Sequence, residues 1–173
     1  MEFNLFLIIL SWNSIQSLSG KDVKIILREF EEFIPDLANL LPKKGKTYRY
    51  INDKKESAIV VDHKEIMFIE LKNQTIPSLR LLKTTKFSFP TVVVDIGAIR
   101  FVTNGADIMR PGITQISEEV TEANLVVILE EKNKTPISVG QSKYDAVDLK
   151  NMNAGKCIRN LHYLTDEWWN FRP

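Results

Sequence analysis

Residues 91–112, TVVVDIGAIRFVTNGADIMRPG, constrain the fold of this chain more than any other segment. Three consecutive valines at 92–94 favour a strand, because β-branched side chains pack well on a pleated sheet. Asp95 follows where a helix cap is needed, and Gly105 ends the helix, since glycine readily takes the positive φ of a C-terminal cap. Three apolar residues recur at helical spacing and are expected to face a core: Ile96, Ile99 and Val102. The segment therefore predicts strand, helix, glycine turn and strand in succession.

The length of 173 residues allows one domain or two small ones. The single cysteine, Cys157, forms no internal disulfide, which fits a reducing compartment. A small core residue is the favoured interpretation of this cysteine, ahead of a catalytic nucleophile. The chain has two histidines, His63 and His162, which with one cysteine make no spaced metal cluster. We therefore expect neither a bound metal nor another cofactor.

The net charge of +1 provides no global attraction for nucleic acid, so any RNA binding must use local patches. One basic run stands out, with Lys43, Lys44, Lys46 and Arg49 at its start. The ordinary interpretation of such a run is a solvated face. The alternative is a contact patch for a partner protein or for ribosomal RNA.

The first ten residues, MEFNLFLIIL, are apolar and superficially similar to a secretion signal. No Lys or Arg precedes the apolar run, Glu2 is acidic, and a small-residue cleavage site is missing. The run is also too short for a bilayer, which requires about 20 residues. We expect a buried first strand or an extension from a misassigned start, and no membrane segment. Whether residues 1–12 are ordered stays open.

Residues 1–86 predict an α+β unit. Ser19 and Asp22 form a weak capping box, and an amphipathic helix extends from there to Pro35. Strands are expected at 47–51, 57–61 and 66–71, with polar turns between them, and residues 76–82 are expected to join this unit to the next.

Residues 87–173 predict a second unit that is mostly β. A hairpin is expected from strands at 125–130 and 136–139, a short helix at 145–151, and final strands at 157–164 and 168–171. Short strands with two small helices indicate a partly closed barrel. The predicted fold class is therefore α+β, an N-terminal α+β domain followed by a β-pseudobarrel.

Four blocks in register carry a resemblance to a known family: LLPKK, PSLRLL, VDIGAIRFVTNGADIMRPGI and VGQSKYDAVDLKNMNAGKCIRNLHYLTDEWW. Together they resemble the proteins that pair an N-terminal pre-PUA domain with a C-terminal PUA domain, the malignant T-cell-amplified-sequence family. The short form and the lysine and isoleucine content are similar to those of archaeal members.

The resemblance implies a non-catalytic RNA-binding protein of the translation apparatus, acting in the cytoplasm at the small ribosomal subunit or on tRNA, in initiation or recycling. The implied partners are structured RNA, either tRNA or rRNA, and a separate protein with a SUI1 domain. Two alternatives remain open: an accessory that assists tRNA or rRNA modification in trans, and a protein-interaction module for the SUI1-domain partner. An enzyme is the least favoured interpretation, because recognisable catalytic motifs are missing.

The resemblance also places RNA against the first helix of the PUA domain and the glycine loop after it. The residues so implied are Arg100, Gly105, Ala106, Asp107, Met109, Arg110, Pro111 and Gly112, with Lys143 as a further phosphate contact. Small residues in the loop would let phosphate approach backbone N–H groups, and Arg110 would bond a phosphate or stack on a base. The alternatives are that Gly105 only caps a helix, that Met109 packs in the core and that Arg110 is a solvated arginine. Trp168 and Trp169 are expected to pack on the barrel, ahead of stacking on bases.

Overall fold

The computed structural model describes residues 12–35, 37–41, 45–72 and 74–173 of the chain. Its first half contains β1 (Trp12–Ser17), α1 (Gly20–Arg28), a 3-10 turn (Leu37–Leu40), β2 (Thr47–Asn52), β3 (Ser57–Val61), β4 (Glu65–Leu71), β5 (Gln74–Pro77) and α2 (Leu79–Thr84). Within the described residues, the five strands form an antiparallel sheet in chain order. Short connections join β2 to β3, β3 to β4 and β4 to β5, whereas α1 and the 3-10 turn lie between β1 and β2.

The second half contains β6 (Thr91–Val94), α3 (Ile96–Val102), β7 (Ile108–Met109), a 3-10 turn (Arg110–Gly112), β8 (Ile113–Ile116), β9 (Leu125–Glu130), β10 (Pro136–Ser142), α4 (Ala146–Asn151), β11 (Lys156–Tyr163) and α5 (Glu167–Asn170). The strand order in this sheet is β7-β11-β10-β9-β6-β8, and only β6 and β9 run parallel. The mixed α+β class is confirmed.

The second sheet closes on itself at one place. β7 and β8 are its two edge strands, yet only the 3-10 turn Arg110–Gly112 separates them along the chain. Two edges joined by three residues must lie side by side, so the sheet curls into an incomplete barrel. We call residues 110–112 the seam.

Two apolar cores hold the molecule together. The barrel core includes Val94, Val102, Ile108 and Ile158. The other core joins both halves, because Phe30, Phe68 and Ile69 of the first half belong to the same cluster as Val93, Trp168 and Phe171 of the second. Ring stacking marks this shared core, with centroids 4.6 Å apart for Phe30 and Phe68 and also for Phe33 and Phe89.

Local capping signals were predicted correctly. Ser19 and Asp22 form a reciprocal capping box at α1, and Asp95 accepts from the Ala98 N–H at 2.7 Å. α1 is shorter than predicted, because it ends at Arg28 and the apolar spacing continues through a series of turns. Since such turns keep near-helical spacing, they satisfy the same periodicity.

Four predicted elements need correction. Residues 76–82 do not simply join the halves: they complete β5 and begin α2. No strand was predicted at 113–116, where the chain forms β8. β10 extends to Ser142, three residues beyond its predicted end. Residues 168–171 form no strand, because Asp166 accepts from the Trp169 N–H at 2.7 Å and starts α5.

Among the described residues, no helix is both long and apolar enough to cross a membrane. The apolar stretch at 1–10 lies outside the described residues.

Candidate nucleic-acid interface

A groove of about 620 Å³ lies between α3, the loop after it and the seam. Its lining includes the helix residues Ala98 and Phe101, the loop residue Asp107, and Met109, Pro111 and Gly112. Six of the eight residues implied by the family resemblance line this groove: Arg100, Ala106, Asp107, Met109, Pro111 and Gly112. The fold brings these residues together on one surface, whereas Arg110 and Lys143 have different roles.

Exposed apolar side chains dominate this surface. Phe101 is 53% exposed and Met109 49%, although large apolar side chains are usually buried. Ile96, at the start of α3, is 68% exposed but does not line the groove. The expectation that Ile96 faces the core is therefore wrong, as is the alternative that Met109 packs there. The guanidinium carbon of Arg100 lies 4.6 Å from the centroid of the Phe101 ring, a cation–π contact that orients both groups at the groove.

Sequence reasoning missed Phe101 as a site residue. In α3 the helical period predicts one buried face, and Phe101 lies off that face between Arg100 and buried Val102. A large aromatic side chain on the solvent face of a helix was the available signal, because such residues mark interfaces.

The glycine turn is a helix cap with occupied donors. The Gly105 N–H donates to the Val102 carbonyl and the Ala106 N–H to the Phe101 carbonyl, both at 3.0 Å. With φ at +88° for Gly105, this is a Schellman motif. The Tyr163 ring also covers Gly105, since an added Cβ would lie 2.7 Å from it. The expectation that these two N–H groups are open to phosphate is therefore wrong.

Arg110 fastens the seam. Its Nε donates to the Leu149 carbonyl at 2.6 Å and its Nη1 to the Ile113 carbonyl at 3.1 Å, while its backbone N–H donates to the Gly155 carbonyl at 2.8 Å. These bonds tie the start of the turn to α4 and to β11. Arg110 is neither a freely solvated arginine nor a bidentate phosphate ligand in this arrangement.

Asp107 organises the far side of the loop. Its Oδ1 accepts from the Asn160 N–H at 2.8 Å and its Oδ2 lies 2.7 Å from Lys156 Nζ. Burial raises the pKa of Asp107. These bonds and the charges of Lys156 and Arg159 lower the pKa by more than burial raises it, so the pKa lies below its ordinary value. The carboxylate stays ionised and pairs with Lys156 beside the groove, which offsets its repulsion of phosphate.

Lys143 is exposed just after β10, and its N–H donates to the Cys157 carbonyl at 2.9 Å. β11 separates β10 from β7, so Lys143 lies two strands away from Met109, or about 10 Å. It does not line the groove. A phosphate contact by Lys143 stays a proposal at the outer margin of this surface.

The predicted basic patch in the first half is only partly described. Lys46 is exposed, whereas Arg49 forms a bidentate ion pair with Glu70, with both N–O distances at 2.6 Å. The side-chain hydrogen bond to Glu70 raises the pKa of Arg49 above its ordinary value. Arg49 is therefore neutralised within the sheet. Lys43 and Lys44 lie outside the described residues.

The remaining candidate groups have structural partners. His162 is buried, with Nδ1 at 2.6 Å from Asp166 Oδ2 and Nε2 accepting from the Leu79 N–H at 3.1 Å. Trp168 is buried in the shared core, in agreement with the packing interpretation. Burial raises the pKa of the Cys157 thiol against the opposing charge of Arg110, which favours the neutral thiol. In the described part of the chain, no three His, Cys, Asp or Glu residues are grouped as metal ligands.

An incomplete barrel with a groove beside its first helix defines a class of protein, and a family model identifies that class. The model described as "PUA domain" matches residues 90–164, which begin just before β6 and end just after β11.

Whole-chain relatives extend the match to the first half. An uncharacterized protein of Methanocaldococcus jannaschii is 42% identical over 90% of this chain and 94% of its own length. Translation machinery-associated protein 20 of Saccharomyces cerevisiae is 31% identical over 84% of this chain and 83% of its own, and malignant T-cell-amplified sequence 1 of Rattus norvegicus is 32% identical over 85% and 82%. The chain belongs to this family of PUA-domain proteins.

Solved structures of related proteins have the same fold as this chain. A hypothetical protein from Pyrococcus horikoshii has a TM-score of 0.78 at 30% identity, covering 92% of this chain and 100% of that one. A conserved PUA domain protein from Thermoplasma acidophilum has a TM-score of 0.76 at 26% identity, with the same coverage. Both match across the two halves, so the arrangement described above is that of the family.

Proposed function

We propose that this protein binds RNA without catalysing a reaction, and that unpaired bases occupy the groove beside α3. The observation that carries the proposal is the exposure of Phe101 and Met109 on an apolar surface with the Arg100 guanidinium at its margin. A nucleobase has an apolar face that stacks on aromatic rings, and RNA-binding modules use such stacking to hold unpaired bases. Nearby cationic side chains then bind the phosphates that flank each base.

The groove favours bases over phosphate as its main occupant. The N–H groups of Gly105 and Ala106 are occupied within the helix cap, and Arg110 is held by carbonyl oxygens. The loop therefore serves as a rigid wall, and the apolar side chains provide the contact. This corrects the chemistry first expected for the loop while keeping the same surface.

We further propose a role in the translation apparatus, in the cytoplasm, at the small ribosomal subunit or on tRNA. The support is the family: yeast relatives are named translation machinery-associated protein 20. The proposed partners are tRNA or rRNA and a separate SUI1-domain protein. Sedimentation of a lysate with and without RNase tests this role. Migration with small subunits that RNase abolishes supports it, and migration as a free small protein in both samples contradicts it.

Direct RNA binding is tested by anisotropy of labelled unpaired RNA and of folded tRNA at fixed salt. Loss of base stacking costs about 1–3 kcal/mol, so Phe101→Ala is expected to raise Kd roughly 5-fold to 150-fold. Met109→Ala should act in the same direction but more weakly, because thioether contacts are smaller.

Ile25→Ala is the matched control, because Ile25 is 51% exposed on α1, away from the groove. It should leave Kd unchanged. Unchanged affinity of a folded Phe101→Ala variant for both RNAs would refute the groove as the binding surface.

A further inference from the structure

A second groove, of about 590 Å³, lies between the two halves on the other side of the Gly105 loop. The first half contributes Lys54, Glu56 and Lys72, and the second half contributes Arg159, Tyr163 and Glu167. The family-based site does not include any of these residues. Because both halves form the walls, a ligand here would contact the two halves at once. We call this second cavity the inter-module groove.

The charges in this inter-module groove leave cations available. Lys54 lies 3.4 Å from Glu167, so these two charges offset one another. Asp166 also lines the groove, but its carboxylate is buried and bonded to His162, Tyr163 N–H and Trp169 N–H. Within residues 45–72 and 74–173, Lys72 and Arg159 form no ion pair, and they face the single remaining carboxylate of Glu56.

The two grooves are joined along β11. Cys157 and Ile158 are both fully buried at a bulge, so Lys156 and Arg159 on either side of them are both exposed. These two cations lie three positions apart along the strand, which corresponds to about 10 Å. Lys156 lies 2.7 Å from Asp107, which lines the first groove, and Arg159 lines the second.

Tyr163 lies between the grooves. Its ring covers Gly105 of the loop on one side and lines the inter-module groove on the other. The arrangement is therefore an apolar groove, then Lys156 and Arg159 on one strand, then the Tyr163 ring and Lys72. Proteins that bind single-stranded nucleic acid combine these parts, with cations along the backbone and rings under the bases.

We propose that the RNA strand continues from the groove beside α3 across β11 into the inter-module groove, where Arg159 and Lys72 bind its phosphates. This inference rests on the proposed RNA binding and adds a second, backbone-directed subsite that both halves build. The subsite reads no base identity, because phosphate contacts position a strand without specifying its sequence.

Oligonucleotide length separates the two subsites. We would measure Kd for unpaired RNAs of about 4 and about 12 nucleotides, which span the site sizes of small nucleic-acid-binding folds. The longer RNA should bind more tightly to the wild-type protein. The double variant Lys72→Gln/Arg159→Gln should lose most of that gain and leave the shorter RNA unaffected. Its salt slope for the longer RNA should fall by about 1.4, because each phosphate contact on a single strand contributes about 0.7.

Lys64→Gln/Lys83→Gln is the control, since it removes the same charge from exposed positions outside the groove. This control variant should leave the dependence of Kd on RNA length and the salt slope unchanged. Equal affinity of the wild-type protein for both RNA lengths would overturn the inference, and so would an unchanged salt slope in the Lys72/Arg159 variant. The proposed function would still stand in either case if Phe101→Ala weakens the binding of both RNAs. Absence of binding to either RNA overturns both.

Discussion

Gly105 is subject to two separate constraints at one residue. Its φ of +88° is strained for any residue with a Cβ, and a Cβ there would lie 2.7 Å from the Tyr163 ring. Gly105→Ala is therefore expected to destabilise the protein by about 1–3 kcal/mol, which lowers Tm by roughly 2–10 °C for a chain of this size. Calorimetry of the variant measures this.

Gly20→Ala is the matched comparison, because an added Cβ meets no atom within 4 Å there. Its Tm should stay the same or rise slightly, since alanine restricts the unfolded chain. Equal Tm changes in the two variants would show that neither φ nor Tyr163 restricts position 105.

Asp107 gives the loop a dependence on pH. Its folded-state pKa lies below the ordinary 3.8, so ionisation favours the folded state. The stabilisation is complete above about pH 4–5 and is lost as the pH falls through the folded-state pKa, below 3.8. The stability difference between wild type and Asp107→Asn should therefore shrink on acidification over that range, as urea unfolding at each pH would show. A difference that is constant from neutral pH to pH 2 would contradict the ion pair with Lys156.

Residue roles were predictable from the sequence where they depend on near neighbours. The cap at Gly105 requires only residues 101–106 and was available as a local alternative. The role of Arg110 was not, because its carbonyl partners Leu149 and Ile113 come together only in the folded barrel. An arginine that binds phosphate and an arginine that donates to backbone carbonyls are the same residue type in the sequence, so the sequence does not distinguish these two roles.

At the scale of elements, local signals again decided what could be predicted. The starts of α1 and α3 and both ends of the hairpin strands β3 and β9 agree with the prediction, because caps and turn residues mark them. β8 and α5 were missed. β8 has two exposed residues among four and pairs with distant β6, and α5 is a single turn started by Asp166.

The capping box at α1 should contribute measurably to stability. Ser19→Ala removes the hydroxyl that accepts from the Asp22 N–H, and loss of such a cap costs about 1 kcal/mol. Denaturant unfolding monitored by circular dichroism measures the change in midpoint. Ser14→Ala, at an exposed position on β1, should change the free energy of unfolding by a few tenths of a kcal/mol or less. Equal shifts would show that the box contributes nothing.

At the scale of the whole molecule, the halves share a core. Trp168 and Phe171 pack with first-half residues, and Arg80 of α2 donates to the carbonyls of Trp169 and Phe171 at 2.6 and 2.8 Å. Buried His162 adds a bond to the start of α2. The division into domains 1–86 and 87–173 therefore stays a proposal about sequence organisation, and we expect the halves to unfold together.

Calorimetry tests this coupling. The full chain should show one transition with equal calorimetric and van't Hoff enthalpies. A fragment of residues 87–173 should have a lower Tm and bind a hydrophobic dye, because it exposes the apolar side of the shared core. Two resolved transitions in the full chain, with the fragment as stable as the upper one, would establish independent domains instead.

The seam has a further consequence, for self-association. Free strand edges recruit other chains, and proteins avoid this by keeping edges short or covered. The seam places the edge strands β7 and β8 side by side, and they have only two and four residues. Within the described residues, the longer open edge is β1 of the first sheet, with six residues, several of them exposed. Intermolecular strand pairing, where it occurs, should therefore begin at β1, and the barrel that carries the groove beside α3 should be protected from it.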